Sequence, residues 1–539
     1  MDTRFLNTLD PAVFEAIKAI RPKLRLCGPL RILFVVDGAI TYNTSFGVGR
    51  VAALLNDTAR GWVDFQVDTK FKSEITFSDA SLRPYHQVWL FGYNGGNGSL
   101  SSGERTALLK WMDERRGGVF ATGDHDDLGA ALCRQVPRAG TMRRWTQAQG
   151  VPPGAGPARV DTNRPANASQ GAPTYAQIPI GAQSDAVPQR VQWVTWMRSG
   201  GGLLGWRAPH PILCHPQHGP IDVMPDHPHE GVCFDTAPGR FEVDVSSATE
   251  YPTRNGVRPL PTVIAYGTTL PDPPYNFAKG DSPAKRFPMI SVYDGQSIGI
   301  GRVVVDSTWH HWMDLNIIGL EAAGTAPGAS AQAVANWEKI REYFVNIAVW
   351  LATPQQRRCM ARWYFTTAHY NYVGFQELRT ARSLLELGQI TSSYLRPILG
   401  PCWVRQFVLD LVLEVHPRLF DLLGPTFLGE DFGGKAASEL AGLSGPGWDA
   451  FEAHVLGAVM QASMKQHAKS VELLLQHRKL DLPVNDAEEA EVLLGGALDG
   501  LRAFEQAVQA DVKRIQPWLT ALKSVEARIP VKPVKPAKR

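Results

Sequence analysis

A chain of 539 residues is too long for one small module, and 44% apolar against 20% charged residues is the balance of a folded globular protein rather than a disordered one. Lysine and arginine total 55 against 52 acidic residues, and a net charge of +3 gives no electrostatic reason to expect a nucleic acid or a membrane surface as the main partner. Six cysteines (Cys27, Cys133, Cys214, Cys233, Cys359 and Cys402) lie scattered without a CxxC pair, which frames neither a zinc ribbon nor a disulfide scaffold and makes a reducing cytoplasm the simpler expectation.

The first twenty residues carry charge inside every apolar run, unlike a signal peptide. The longest apolar run, residues 343–352, is interrupted by Asn346 and falls short of the about 20 residues that a membrane helix needs. No spanning segment is expected.

In chain order, residues 32–36 are a β-branched and aromatic run closed by Asp37-Gly38, and residues 48–55 follow with helical spacing. A second unit begins at residues 87–91 (QVWLF), passes through the glycine-rich stretch 92–98, and opens a helix where Ser101 and Glu104 form a capping-box pattern. Gly117-Gly118 end that helix, residues 119–122 are the next buried strand, and Gly123-Asp124-His125-Asp126-Asp127 sits at its carboxyl end. Strands alternating with helices predict a flavodoxin-like, doubly wound, mostly parallel sheet, whose ligands bind outside the carboxyl ends of the strands. That rule places the site near residue 125.

Residues 151–255 turn rich in proline, glycine, asparagine and histidine, with Trp193, Trp196 and Trp206, and read as a loop-rich insert. Strand-like runs return at 261–266, 289–293 and 299–306, and a helix over 333–351 carries Trp337, Ile340, Phe344, Ile347 and Leu351 on one face. The expected α/β domain therefore spans residues 1–355. Beyond Pro354 strand signals nearly vanish, and residues 356–525 read as an all-α C-terminal domain with helical spacing at Phe451, Val455, Ala458 and Ala462. Its last helix carries an apolar stripe from Leu498 to Leu522, with a second capping-box pattern at Asn485 and Glu488 and a kink expected at Pro517. Residues 526–539, basic and proline-rich, are expected to form a flexible tail.

Residues 87–125 and the run Gly301 to His311 resemble the class I glutamine amidotransferase-like superfamily, in particular its trehalose-utilisation (ThuA-like) branch. The resemblance implies a flavodoxin-like sheet and a link to carbohydrate-like substrates. It departs from the true amidotransferases at the turn after residues 119–122. Those enzymes hold a nucleophilic cysteine there, whereas this chain has Gly123-Asp124-His125-Asp126 and its nearest thiol, Cys133, eight residues on. Acid/base or metal-assisted chemistry is what remains.

Asp124, His125, Asp126 and Asp127 at one strand end, with Asp306, His310, His311 and Asp314 at another, are the strongest polar constellation. A histidine flanked by carboxylates is an oriented general base or a ligand for a divalent metal such as zinc; the structural alternative is a capping Asp124 and packed histidines. The insert holds His210, His215, His218, His227 and His229, and residues 225–231 place His227, His229 and Glu230 together as candidate metal ligands in a proline-stiffened loop. An exposed polar loop is the plainer account of that stretch. Asn94, Gly95 and Gly96 are candidate ligand-loop residues, and Trp309 a stacking surface for a sugar ring, with core packing as its alternative. Arg357-Arg358 reads as a solvated face. These residues point to a hydrolase or isomerase acting on a small polar, carbohydrate-like molecule; the rival is an inert sensor or scaffold whose helical domain self-associates or binds a protein.

Overall fold

Uninterrupted apolar runs build the middle of a nine-stranded sheet, because a strand covered on both faces has no side on which to put a polar residue. The computed structural model describes residues 28–38, 40–43, 47–60, 63–92, 100–123, 136–140, 142–144, 189–199, 206–225, 232–233, 250–269, 285–371, 383–417, 446–477 and 486–526. The strands are β1 (Leu30–Val36), β2 (Ala59–Arg60), β3 (Val63–Phe71), β4 (Gln87–Gly92), β5 (Gly118–Gly123), β6 (Gln192–Trp193), β7 (Thr262–Thr269), β8 (Lys285–Tyr293) and β9 (Val303–Asp306), in the spatial order β2-β3-β1-β4-β5-β9-β8-β7-β6.

The five strands β3-β1-β4-β5-β9 are parallel, and taken in chain order they follow the 2-1-3-4-5 arrangement of flavodoxin-like sheets. β8, β7 and β6 extend this sheet as an antiparallel wing, and β2 pairs antiparallel with β3 at the other edge. β4 and β5 are buried throughout, whereas β3, next to the edge, buries Val63, Phe65 and Val67 and exposes Asp64 and Gln66.

The helices are α1 (Gly49–Asn56), α2 (Ser102–Arg115), α3 (Asp314–Thr325), α4 (Ala331–Trp350), α5 (Pro354–Asn371), α6 (Leu384–Leu399), α7 (Pro401–Val415), α8 (Pro446–His477) and α9 (Asp486–Glu526). The capping box at α2 forms as expected: Glu104 accepts from the Ser101 backbone N–H at 3.0 Å while the Ser101 hydroxyl accepts from the Glu104 N–H at 3.3 Å. α4 buries the face expected of it, with Trp337, Ile340, Phe344 and Ile347 all inside. Trp312 wedges between α4 and the sheet, its ring 4.3 Å from Phe120, 5.6 Å from Trp89 and 4.8 Å from Phe344. An aromatic ring buried this way stabilises by up to about 4 kcal/mol of apolar transfer.

Asn346, which interrupts the apolar run, is a buried junction. Its amide donates to the carbonyls of Ile212 (3.2 Å) and Cys214 (2.9 Å) in the insert, and its carbonyl accepts from the Trp403 indole at 3.0 Å on α7. At the same junction Cys214 and Cys402 form a disulfide with Cα atoms 6.5 Å apart. This corrects the expectation of unpaired cysteines: residues 188 positions apart share no sequence pattern that could announce their meeting. Cys359 is also disulfide-bonded, and Cys233 is a buried thiol outside any disulfide.

The helical region packs on the sheet unit through one continuous apolar core that includes Trp350, Trp403, Val404, Phe451 and Val455. α6 and α8 cross at Gly388 and Gly457. A Cβ on either glycine would lie within 2 Å of a backbone carbonyl, Ala453 and Leu384 respectively, so no side chain fits at the crossing. α8 packs along the first half of α9, with Phe451 5.3 Å from Phe504, while Val508, Val512 and Ile515 farther along α9 are exposed. Among the described residues no helix is long and apolar enough to cross a membrane.

Candidate functional site at the carboxyl edge of the sheet

β9 ends at Asp306, beside β5. Val305 pairs with Ala121, so Asp306, which ends β9, lies level with Thr122, one residue before the end of β5, and on the same face of the sheet. The chain then turns through Ser307 and Thr308 into a short 3-10 segment, His310–Trp312, that brings His311 back over Asp306. The turn is held by Asp306 itself, whose Oδ1 accepts from the Thr308 N–H at 3.2 Å, and by the Thr308 hydroxyl, which accepts from the His310 N–H at 3.2 Å.

Asp306 Oδ2 takes three further hydrogen bonds: from the Tyr343 hydroxyl at 2.9 Å, from His311 Nδ1 at 2.8 Å and from the Trp312 indole at 3.4 Å. These contacts turn Nδ1 of His311 toward the carboxyl group and point Nε2 away from it, and in the tautomer that carries its proton on Nδ1 the lone pair of the ring lies at Nε2. Among the described residues His311 Nε2, which is buried, has no hydrogen-bond partner, and neither has the Thr122 hydroxyl near the end of β5. Leaving such an atom bare costs about 1–3 kcal/mol, so it marks either a role or a strain. Burial, together with the Asp306 charge and the bond to it, pushes the Tyr343 hydroxyl well above its ordinary range, so Tyr343 stays a donor. The Cys233 thiol borders the same strand end, donating to the Met289 carbonyl at 3.2 Å and more weakly to that of Val305 at 3.6 Å.

Of the residues singled out in the sequence, the structure joins His311 to Asp306. His310 is buried, with its ring 4.3 Å from that of Trp309 and its carbonyl accepting from Asn316 at 2.9 Å. Trp309 is buried as well and offers no open stacking face. Asp314 does not join the cluster: it accepts from the N–H groups of Gly49 (3.2 Å) and Arg50 (2.7 Å) at the start of α1. Burial raises its carboxyl to about 6 against the pull of those two bonds and of Arg50. Asp124, His125, Asp126, Asn94, Gly95, Gly96, His227, His229 and Glu230 lie outside the described residues. Tyr343 escaped the sequence reading, although a tyrosine inside an apolar helical run needs a buried partner for its hydroxyl, and that was the available signal.

Three histidines of the insert have structural work. His210 Nδ1 accepts from the Ile212 N–H at 3.3 Å, and burial holds its imidazole far below the usual range. His215 Nδ1 accepts from the N–H groups of Gln217 (3.1 Å) and His218 (3.0 Å), capping the hairpin turn, and His218 pairs with Glu338 of α4 at 2.5 Å. His215, His218 and Glu338 bring one donor atom each within 4.8 Å of one another. They fit a divalent ion poorly all the same. With Nδ1 of His215 receiving two N–H groups, the proton of the neutral ring sits on Nε2, and ligation there would require an imidazolate.

No family model, no curated protein and no solved structure matches this chain.

Proposed function

We propose that the protein is a hydrolase or isomerase of a small polar, carbohydrate-like substrate, built on an amidotransferase-like, ThuA-like scaffold without a cysteine nucleophile. The observation that supports this reading is the Nε2 of His311, without a hydrogen-bond partner among the described residues and oriented by Asp306 through Nδ1 at the carboxyl edge of a flavodoxin-ordered sheet. A histidine so oriented takes a proton from water or substrate at Nε2, and the carboxylate stabilises the imidazolium that results. His125 with Asp124 or Asp126 is the proposed partner acid or metal-binding group, and zinc or another divalent ion would there polarise the substrate or its water. Because His311 is fully enclosed, turnover requires a state in which Nε2 is reached from outside.

The test is a turnover screen of the full-length protein on glycosides, sugar lactones and keto sugars, with His311→Gln, alongside elemental analysis by mass spectrometry. A substrate found in the screen and lost in a His311→Gln variant that remains folded at the assay temperature supports the reading; turnover that survives the substitution defeats it.

The same enclosure favours a second reading, in which the Asp306 network only braces the core and the exposed Val508, Val512 and Ile515 face of α9 binds a protein or a second copy. Light scattering on the full chain separates the two: a monomer with turnover removes the second, an oligomer without turnover favours it. The expected cytoplasmic location rested on unpaired cysteines, and the Cys214–Cys402 disulfide withdraws that support.

A further inference from the structure

At the opposite, amino-terminal edge of the sheet, where α5 and α7 meet it, a small cleft with about 20 Å3 of enclosed room, partly open to solvent, is lined by Arg116, Asp294, Arg302, Arg357, Asp410 and Glu414, among others. Arg302 is fully engaged: it forks onto Asp294 (2.9 and 2.8 Å), reaches Asp410 at 2.6 Å, donates to the Trp350 carbonyl at 3.1 Å and lies 4.6 Å from the Trp350 ring centre. Glu414 pairs with Arg358 and, at 3.9 Å, with Arg116. Arg357 is different. Its side chain is 6% exposed, Nε stands 3.4 Å from Asp410 without a hydrogen bond, and Nη1 is buried with no partner.

We propose that this cleft binds a small oxyanion of the sulfate or phosphate class, gripped by the unfinished guanidinium of Arg357 and flanked by Arg116. Three guanidinium groups (Arg116, Arg302 and Arg357) and three carboxylates (Asp294, Asp410 and Glu414) line the cleft, but Glu414 is also paired with Arg358 from outside it, which leaves the positive groups of this network in excess by one, beside an Arg357 whose Nε and Nη1 make no hydrogen bond among the described residues. A planar guanidinium with unused hydrogen-bond donors at Nε and Nη1 suits a tetrahedral oxyanion once its ion pair with Asp410 loosens. Among the described residues the apolar side chains lining the cleft are Pro354 and Leu413, against six charged ones, which favours a free anion over an organic carrier. Arg302 precedes β9 and Asp306 ends it, so the anion site and His311 lie at opposite edges of the sheet.

The anion competes with Asp410 for Arg357. Asp410 is faced by Arg302 and Arg357, by Asp294 across the fork and by Gln406 on its own helix, and burial above all raises it to about 6. Its protonation releases Arg357 and removes a negative charge, so anion binding should tighten with acidification.

Isothermal titration of the full-length protein with sulfate, whose charge does not change in this range, tests the site at about pH 5.5 and about pH 7.5. Saturable binding, about fivefold tighter at the lower pH, is expected, with Arg357→Gln weakening it about tenfold or more. If Arg357→Gln does not fold, Arg116→Ala, at the half-exposed rim, should still weaken binding severalfold. Absence of saturable heat at both pH values, or variants that bind like the parent, would overturn the proposal.

Discussion

His311 Nδ1 stands 2.8 Å from Asp306 Oδ2 at the end of β9, and neither side chain is open to solvent. A dyad so enclosed belongs to the core as much as to a site, so its removal has a structural cost that must be separated from any catalytic one.

Asp306→Asn replaces an acceptor-only group by one that presents an N–H to at least one of its four donors. We expect a loss of about 2–4 kcal/mol in chemical denaturation, against about 1 kcal/mol for Tyr343→Phe, which removes a single hydrogen bond. Equal losses for the two variants would mean that the carboxylate is not the centre of the network.

The Cys214–Cys402 disulfide closes a very long loop, for which loop entropy alone gives about 5 kcal/mol of stabilisation at most. Cys402→Ser should lower the denaturation midpoint clearly under non-reducing conditions, and peptide mapping without reductant should recover residues 214 and 402 in one cross-linked species. Recovery of both as free thiols would refute the bond.

For Asp314 the folded state holds the proton more tightly than the unfolded chain, since burial raises the carboxyl from 3.8 to about 6. Its contribution is therefore complete below about pH 4 and fades as pH rises through about 6, by about 2 kcal/mol once partial screening is allowed for. Asp314→Asn should flatten that part of the stability profile, so that parent minus variant falls between pH 4 and 6. A difference that rises across the same window would show that the bonds to Gly49 and Arg50 outweigh burial.

Glu452 on α8 is buried with Arg405. Its Oε2 accepts from Arg405 Nε at 3.1 Å, and its Oε1 from the Ser392 hydroxyl at 3.0 Å and from Arg396 at 2.9 Å. Glu452→Ala takes from the buried Arg405 one of its two carboxylates, leaving Asp449 at 2.8 Å, and should cost about 2–3 kcal/mol, whereas Arg396→Ala, at the exposed side of the cluster, should cost about 1 kcal/mol, both measured by denaturant titration.

The middle strands were legible because continuous apolar runs such as QVWLF have no other home than a sheet covered on both faces, and the box at Ser101 and Glu104 announced α2 directly. β3 was not read, because its alternation of Val63, Phe65 and Val67 with Asp64 and Gln66 breaks every apolar run although it is the proper pattern for a strand with one wet face. At the site, the pairing of Asp306 with His311 is local and was within reach of spacing, whereas Tyr343 arrives from a helix 37 positions on. Arg357, expected on a solvated face, is buried, because its partner Asp410 sits on another helix and no local pattern signals a long-range ion pair.

The capping of α1 by Asp314 bears on how this chain acquires its shape. α1 has no side-chain cap of its own at Val48, and the carboxylate that serves it lies 265 residues downstream of Gly49. During synthesis the first turn of α1 therefore waits, its amide groups hydrated, until most of the sheet has left the ribosome. Fragments ending before residue 314 should carry β1 and its neighbours with a frayed α1, so the smallest autonomous piece of the α/β unit extends past α3.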